Sequence, residues 1–250
     1  MELRGKVCLV TGGTSGIGAA TVLSLLRKGA GVAIASRSIP DEMPAALQVE
    51  VETFGTKVRY FKTDVKDPAE CRECIERVVG DFGHLDVLVH SAGGPAPGNL
   101  FAITEEGWMD AFAVHVHAVL HLVRAAAPHM KRRGEGAIIL IGSAAGLRGC
   151  LGALAYGVVK GALPQFARGL ARELADDRIR VNCVSPGVIR TPFQDALTPA
   201  QALNNIENRI PLHREGAPED VAAMITALIE NEFITGENMV IDGGMTMRIV

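Results

Sequence analysis

Apolar and polar positions follow two alternating patterns along the chain. Short apolar runs fall at 6–11, 31–36, 57–63, 86–90, 136–142, 179–185 and 238–242. Between them, helical periodicity occupies 16–28, 41–54, 67–82, 104–133, 153–176, 194–208 and 218–230. Apolar runs bounded by turns predict strands, and strands that alternate with helices predict right-handed crossovers. The expected fold class is therefore α/β: a doubly wound, mostly parallel sheet of seven strands with helices on both faces. No Pro/Ser-rich linker, repeat or low-complexity tract divides the chain, so residues 1–250 are expected to form a single domain. Two longer irregular stretches, Gly93 to Gly98 and Pro186 to Pro199, follow the fourth and sixth strands. Both leave the carboxyl ends of strands, where ligands bind in open α/β sheets.

Composition narrows the field. With 48% hydrophobic and 21% charged residues the chain is expected to be globular, and its 28 glycines suit tight turns at strand ends. A net charge of −3 argues against a nucleic-acid partner. No apolar segment is expected to reach the roughly 18 residues that span a bilayer, so no membrane partner is expected. Glu2 and Arg4 precede a strand rather than an export signal, and five scattered cysteines suggest reduced thiols, so a cytoplasmic location is expected.

Gly12, Gly16 and Gly18 form a Gly-x-x-x-Gly-x-Gly pattern between the first strand and the first helix. Glycine lets backbone approach a pyrophosphate, and the helix N-terminus then faces its charge. Within this loop Thr14, Ser15 and Ile17 are candidate contacts to a dinucleotide. A site for NAD usually carries an acidic residue about 20 residues after the glycines. Here the second strand ends in Ser36-Arg37-Ser38, so Arg37 is placed to pair with a 2′-phosphate. NADP(H) is the expected cofactor and NAD(H) the alternative. Asp64-Val65 ends the third strand, where the carboxylate either accepts from the adenine amino group or caps a turn.

Tyr156 and Lys160 stand one helical turn apart, and Ser143 follows the fifth strand. Reducing a carbonyl needs a proton donor at its oxygen, and a nearby ammonium is expected to lower the pKa of a phenol. Ser143 is expected to hold the substrate oxygen by a hydrogen bond.

With these motifs assembled, the chain resembles the short-chain dehydrogenase/reductase family over essentially its whole length. The carrying residues are Thr11 to Gly18, His90-Ser-Ala-Gly93, Ser143, Tyr156-x-x-x-Lys160, Pro186-Gly187 with Thr191, and Asp242-Gly-Gly244. The resemblance implies a Rossmann-type fold with Ser143, Tyr156 and Lys160 catalytic. It adds Ser91, Ala92 and Gly93 to the cofactor contacts, with Lys160 and Tyr156 beside the nicotinamide ribose. Pro186, Gly187, Val188, Ile189 and Thr191 are implied around the nicotinamide carboxamide.

Two departures stand out: His90-Ser91 where relatives carry two asparagines, and His115 where they carry an active-site asparagine. His115 is a fourth candidate catalytic residue, expected in a proton relay that is pH-dependent near neutrality. His117 and His121 lack local ligands to complete a zinc site, and Cys71 and Cys74 lack a second pair, so no metal is expected.

The substrate walls, 95–100, 144–154 and 193–203, are mainly apolar with no arginine evidently aimed inward, which fits a small-molecule ketone or secondary alcohol. A 3-oxoacyl group is one class; a sugar, polyol or steroid-like alcohol with NAD(P) is the alternative. A dinucleotide-sensing protein without turnover is a third reading. Lys131-Arg132-Arg133 and Arg178 are candidate contacts for an acyl carrier protein, although basic residues at a helix end also suit its dipole. The resemblance further implies a homo-oligomer, dimer or dimer of dimers, built on the helices at 104–133 and 153–176. Gly157, Gly161, Ala162 and Ala167 are expected to permit close approach there, and residues 245–250 to join a neighbouring subunit or cover their own core.

Overall fold

Seven apolar runs are strands, and their residues are divided between two cores by the pleat. A computed structural model describes residues 1–195 and 197–247. The strands are β1 (Val7–Thr11), β2 (Gly31–Ser36), β3 (Val58–Lys62), β4 (Val87–His90), β5 (Gly136–Ile141), β6 (Ile179–Pro186) and β7 (Asn238–Ile241). They form one parallel sheet in the order β3-β2-β1-β4-β5-β6-β7. Successive side chains of a strand point to opposite faces. Cys8, Val10, Val87, Val89 and Ile139 therefore meet the helices on one side, and Leu9, Leu88, Ile138 and Leu140 those on the other.

The first face is covered by α1 (Gly16–Arg27) and α8 (Pro218–Glu230), which bury Val22, Leu25, Leu26, Val221, Ile225 and Ile229. The second is covered by α3 (Pro68–Phe82), α5 (Ala118–Arg133) and α6 (Leu154–Leu174), which contribute Ile75, Val78, Val119, Leu122 and Leu163. α4 (Glu105–Phe112) leads into α5 through a π-helical turn, Ala113–His117. Local sequence starts several of these helices. Asp67 accepts from the amides of Ala69 and Glu70 ahead of Pro68, and Thr104 accepts from Gly107.

Some boundaries differ from the periodicity. The helix expected from 41 is α2 (Ala45–Phe54), because Pro44 has an extended ψ of 136° and occupies its N-cap. The helix expected over 194–208 is shorter: a 3-10 turn at Pro192–Gln194, then α7 (Pro199–Asn204), then a π turn at Asn205–Arg209. Thr198 sets the start of α7 by a reciprocal capping box with Gln201.

The expectation that no segment is long and apolar enough to span a bilayer is also corrected. An 18-residue window within Glu105–Arg133 meets that test, with a mean hydropathy of 1.2. Its apolar side, including Ala118, Leu122, Ala126 and Met130, is packed into the core. The small residues of α6 are likewise used within the chain. Ala167 is fully buried, and a Cβ on Gly161 would lie 2.9 Å from the Gly146 carbonyl oxygen. Residues 248–250 of the expected C-terminal contact lie outside the described residues.

Candidate active site

The strand order reverses between β1 and β4, and at that crevice the carboxyl ends of six strands open into one cavity of about 1460 Å³. Its floor is the glycine turn after β1. Gly12 has φ +68°, and a Cβ there would sit 2.8 Å from the Ala92 backbone. A Cβ on Gly18 would overlap the Gly12 carbonyl oxygen, so this turn and the start of α1 pack backbone against backbone. Ser15, the N-cap of α1, makes no side-chain capping bond, and no acidic residue occupies the first turn. The first amides of α1 are thus left to an anion, which fits a dinucleotide phosphate.

At the adjoining strand ends, the hydroxyls of Thr14 and Ser36 lie 3.3 Å apart. Arg37 lines the cavity, is exposed, and has no ion pair among the described residues. Its neighbour Lys66 is held by Asp110 at 2.8 Å. Asp64 accepts from the Lys66 amide, so one carboxylate oxygen caps a turn. Ser38 is exposed and does not line the cavity; every other candidate cofactor residue does.

At the far wall, the Ser143 hydroxyl accepts from the Ala145 amide, which leaves its own proton free to donate. Gly146 lies against Gly161 of α6, so the turn carrying Ser143 is packed on the helix carrying Tyr156 and Lys160. Lys160 is buried, and its ammonium donates to the Ile141 carbonyl at 2.7 Å, 5.7 Å from the Tyr156 ring centroid. Burial lowers Lys160 to about 8. Burial also pushes the Tyr156 phenol up, with the Ser143 hydroxyl pulling the other way. The expectation that Lys160 brings Tyr156 below its ordinary value is therefore not met. Desolvation of the phenolate dominates, and the ammonium is turned to a backbone carbonyl.

Known proteins carry the same architecture. A family model described as enoyl-(acyl carrier protein) reductase matches residues 12–246. The 3-oxoacyl-[acyl-carrier-protein] reductase of Thermotoga maritima is 36% identical over 249 residues, which cover 99% of this chain and 100% of that one. Dehydrogenase/reductase SDR family member 4 of Oryctolagus cuniculus is 36% identical over 255 residues, at 99% and 96% coverage. The L-sorbose reductase of Gluconobacter frateurii, solved with NADPH and L-sorbose, superposes with a TM-score of 0.91 at 30% identity, covering 100% of both chains. The chain belongs to the short-chain dehydrogenase/reductase family. It is an NAD(P)-dependent oxidoreductase.

Within this short-chain dehydrogenase/reductase the two histidine departures are structural neighbours of the site. His115 sits in the π turn, a feature that re-aims side chains at functional sites. Its ring lies against Gly93, edge-on to Tyr156 at 5.9 Å, and its Nε2 pairs with the Gly94 carbonyl at 3.1 Å. A carbonyl only accepts, so Nε2 carries the proton and Nδ1 presents a buried lone pair without a partner among the described residues. Burial, aided by the Lys160 charge, lowers His115 to about 2. The expected titration near neutrality is corrected accordingly: His115 stays neutral.

His90 was recognised in sequence only as a departure. It accepts from the Thr11 hydroxyl at 3.0 Å through Nδ1 and donates to the Val114 carbonyl at 3.2 Å through Nε2, and Thr11 in turn accepts from the Ala92 amide. This chain of bonds ties β1, β4 and the π turn together. His117 is exposed and His121 half-buried, away from His115, and no group of three metal-ligating side chains forms among the described residues.

The terminal Asp242-Gly-Gly motif also has a physical account. A Cβ on Gly187 would lie 2.7 Å from that of Asp242, whose carboxylate accepts from the amides of Gly244 and Thr246. Asp242 thereby folds the chain end beneath the loop after β6. The expectation of an apolar wall without arginine is overturned, since Arg148 and Arg209 both line the cavity. Sequence carried no signal for this, because Arg148 is aimed by the distant Thr246 carbonyl and Arg209 by Asn205 within a π turn that leaves no mark in the periodicity.

Proposed function

We propose that the chain is an NADP(H)-dependent oxidoreductase that interconverts a ketone and a secondary alcohol, with 3-oxoacyl groups among the ketones. The observation that carries the reading is the convergence of Ser143, Tyr156 and Lys160 on the same cavity as an uncapped helix N-terminus and an unpaired Arg37. When bound, the nicotinamide supplies or accepts the hydride. Gly12, Gly16, Gly18 and the first amides of α1 would hold its diphosphate, and Arg37 with Thr14 and Ser36 the 2′-phosphate. Ser91 to Gly93, Val65 and the loop from Pro186 to Thr191 would enclose the rest.

The Ser143 hydroxyl donates to the substrate oxygen and holds it beside the Tyr156 phenol. In the reductive direction Tyr156 delivers its proton to that oxygen as negative charge develops; in the oxidative direction the phenolate removes it. A phenol raised by burial stays protonated at neutral pH, which suits it to donate. Lys160 places a positive charge 5.7 Å from the Tyr156 ring centroid, which would offset part of the cost of the buried phenolate left behind. His115, neutral and edge-on to Tyr156, packs the ring in place rather than carrying charge.

A carrier-protein partner is supported less by the basic patch than sequence implied. Lys131 pairs with Asp177 and Arg133 with Asp86, leaving fewer unpaired cations there. Exposed Met109, Leu120, Leu154 and Val158 on α4, α5 and α6 support a homo-oligomer built on this face.

The test is titration with NADPH and NADH of the wild-type protein and Arg37→Asp, followed by turnover of Tyr156→Phe. NADPH preference that collapses in Arg37→Asp is expected. A loss of about 10²–10⁴-fold in kcat is expected for Tyr156→Phe, with NADPH affinity retained. Equal binding of both nucleotides by the wild type would overturn the cofactor reading.

A further inference from the structure

Besides Arg37, two further arginines line the cavity, Arg148 and Arg209. We propose that Arg148 and Arg209 bind an anionic group, carboxylate or phosphate, on the substrate at some distance from its carbonyl. The inference rests on the oxidoreductase reading above and names the substrate class for it.

Three observations bring the segments that carry the two arginines to the same chain end. Arg148 donates from Nε and Nη2 to the Thr246 carbonyl at 3.1 and 2.9 Å. Arg209 precedes Ile210, whose side chain lies 2.7 Å from where a Gly243 Cβ would be. Asp242 holds Gly244 and Thr246 by their amides. One short turn, Met245–Met247, is thus anchored between both arginine-bearing loops, and Met245 and Thr246 themselves line the cavity. This end is also next to the chemistry. Cys150, two residues beyond Arg148, lines the same cavity as Tyr156, and Phe193 packs on the Tyr156 ring at 5.7 Å, tilted by 40°.

The charges there are uncompensated. Arg148 is anchored by a backbone carbonyl and Arg209 by the Asn205 side-chain oxygen at 2.7 Å, both neutral acceptors. Neither has an ion pair among the described residues, whereas the nearby Arg190 and Arg214 are paired with Glu215 and Asp220. The acidic residues that line the cavity, Asp64 and Asp110, lie beside Lys66 at the Arg37 end. A guanidinium has five donors, so each keeps several N–H groups for a ligand, and neutral anchoring fixes its position without cancelling its charge. A carboxylate or phosphate offers the matching fork. Between the anion site and Tyr156, Cys150, Leu151 and Phe193 form a mainly apolar wall suited to a short carbon chain.

The experiment uses the full-length protein saturated with NADPH and compares kcat/KM for matched pairs. Levulinate against ethyl levulinate reads a carboxylate. Acetoacetyl-CoA against the N-acetylcysteamine thioester of acetoacetate reads the phosphates of a pantetheine carrier. One anionic member is expected to exceed its neutral partner, and the pair that shows the preference identifies the source. In Arg209→Gln, and further in Arg148→Gln/Arg209→Gln, the anionic-to-neutral ratio is expected to fall by about 10- to 100-fold, mainly through KM. NADPH affinity, titrated separately, is expected to stay within about twofold, since the phosphate contacts lie at the other end. Anionic and neutral partners that turn over equally, or a ratio unaltered in the double variant, overturn the inference while leaving the oxidoreductase reading intact. Failure of the wild type to bind NADPH overturns that reading and this inference with it.

Discussion

Lys160 is a buried cation whose ammonium has a single backbone acceptor, and that environment sets the protonation chemistry of the site. Burial lowers it to about 8, whereas His115 and His90 are lowered to about 2 and about 4. The sign follows directly. Below pH 8 the ammonium is present, 5.7 Å from the Tyr156 ring centroid; as pH rises through 8 that positive charge is lost. The kcat/KM for carbonyl reduction, which reports the free enzyme, is therefore expected to fall on the alkaline side with an apparent pKa near 8. Both histidines stay neutral down to pH 5, so no inflection between pH 5 and 7 is expected, and His115→Asn should leave that limb unaltered. A limb near pH 6.5 that disappears in His115→Asn would falsify the neutral-histidine account. Tyr156, Lys160, Ser143 and the departures at 90 and 115 were all legible as residues. Their protonation was not, because desolvation depends on what surrounds a group rather than on its neighbours in sequence.

At the scale of elements, the glycine turn and α1 act as one device. The turn was legible because glycine spacing after a buried strand has few other physical reasons. What the structure adds is contact: Gly18 stands on the Gly12 carbonyl, and Gly12 on the backbone after β4. Gly18→Ala forces backbone apart where no flexible side chain can give way. It is expected to weaken NADPH binding by at least about tenfold, measured by fluorescence titration, through displaced amides rather than lost charge. Retained affinity in a folded Gly18→Ala protein would refute this role. The π turn at Ala113–His117 was not legible: helical periodicity runs on through it, and one extra residue in a turn leaves no compositional mark. Yet it aims His115 at Tyr156 and offers the Val114 carbonyl to His90.

For the whole molecule, the two faces of the sheet have different outer surfaces. The helices α4, α5 and α6 bury Ala111, Ala118, Ala126, Ala155 and Ala167, while Met109, Leu120, Leu154 and Val158 stay exposed. Covering those four by a second copy removes apolar surface from water. Light scattering is expected to give a molar mass two or four times the 26.4 kDa of one chain. A charged substitution such as Leu154→Glu should shift it downward, and a monomeric wild type at micromolar concentration would count against the assembly.

By itself the sequence determined the seven strands, their parallel arrangement, the glycine turn and the Ser143, Tyr156 and Lys160 trio. Each of these is written in local periodicity, in the alternation of elements, or in the spacing of motifs along the chain. Tertiary structure alone decided that Arg148 and Arg209 both line the cavity, and that Gly161 packs against Gly146. It also decided that Ser38 is exposed outside the cavity lining, and that burial raises Tyr156 although a lysine lies one turn away. These depend on segments far apart along the chain and on the exclusion of water between them, neither of which leaves a local pattern to read.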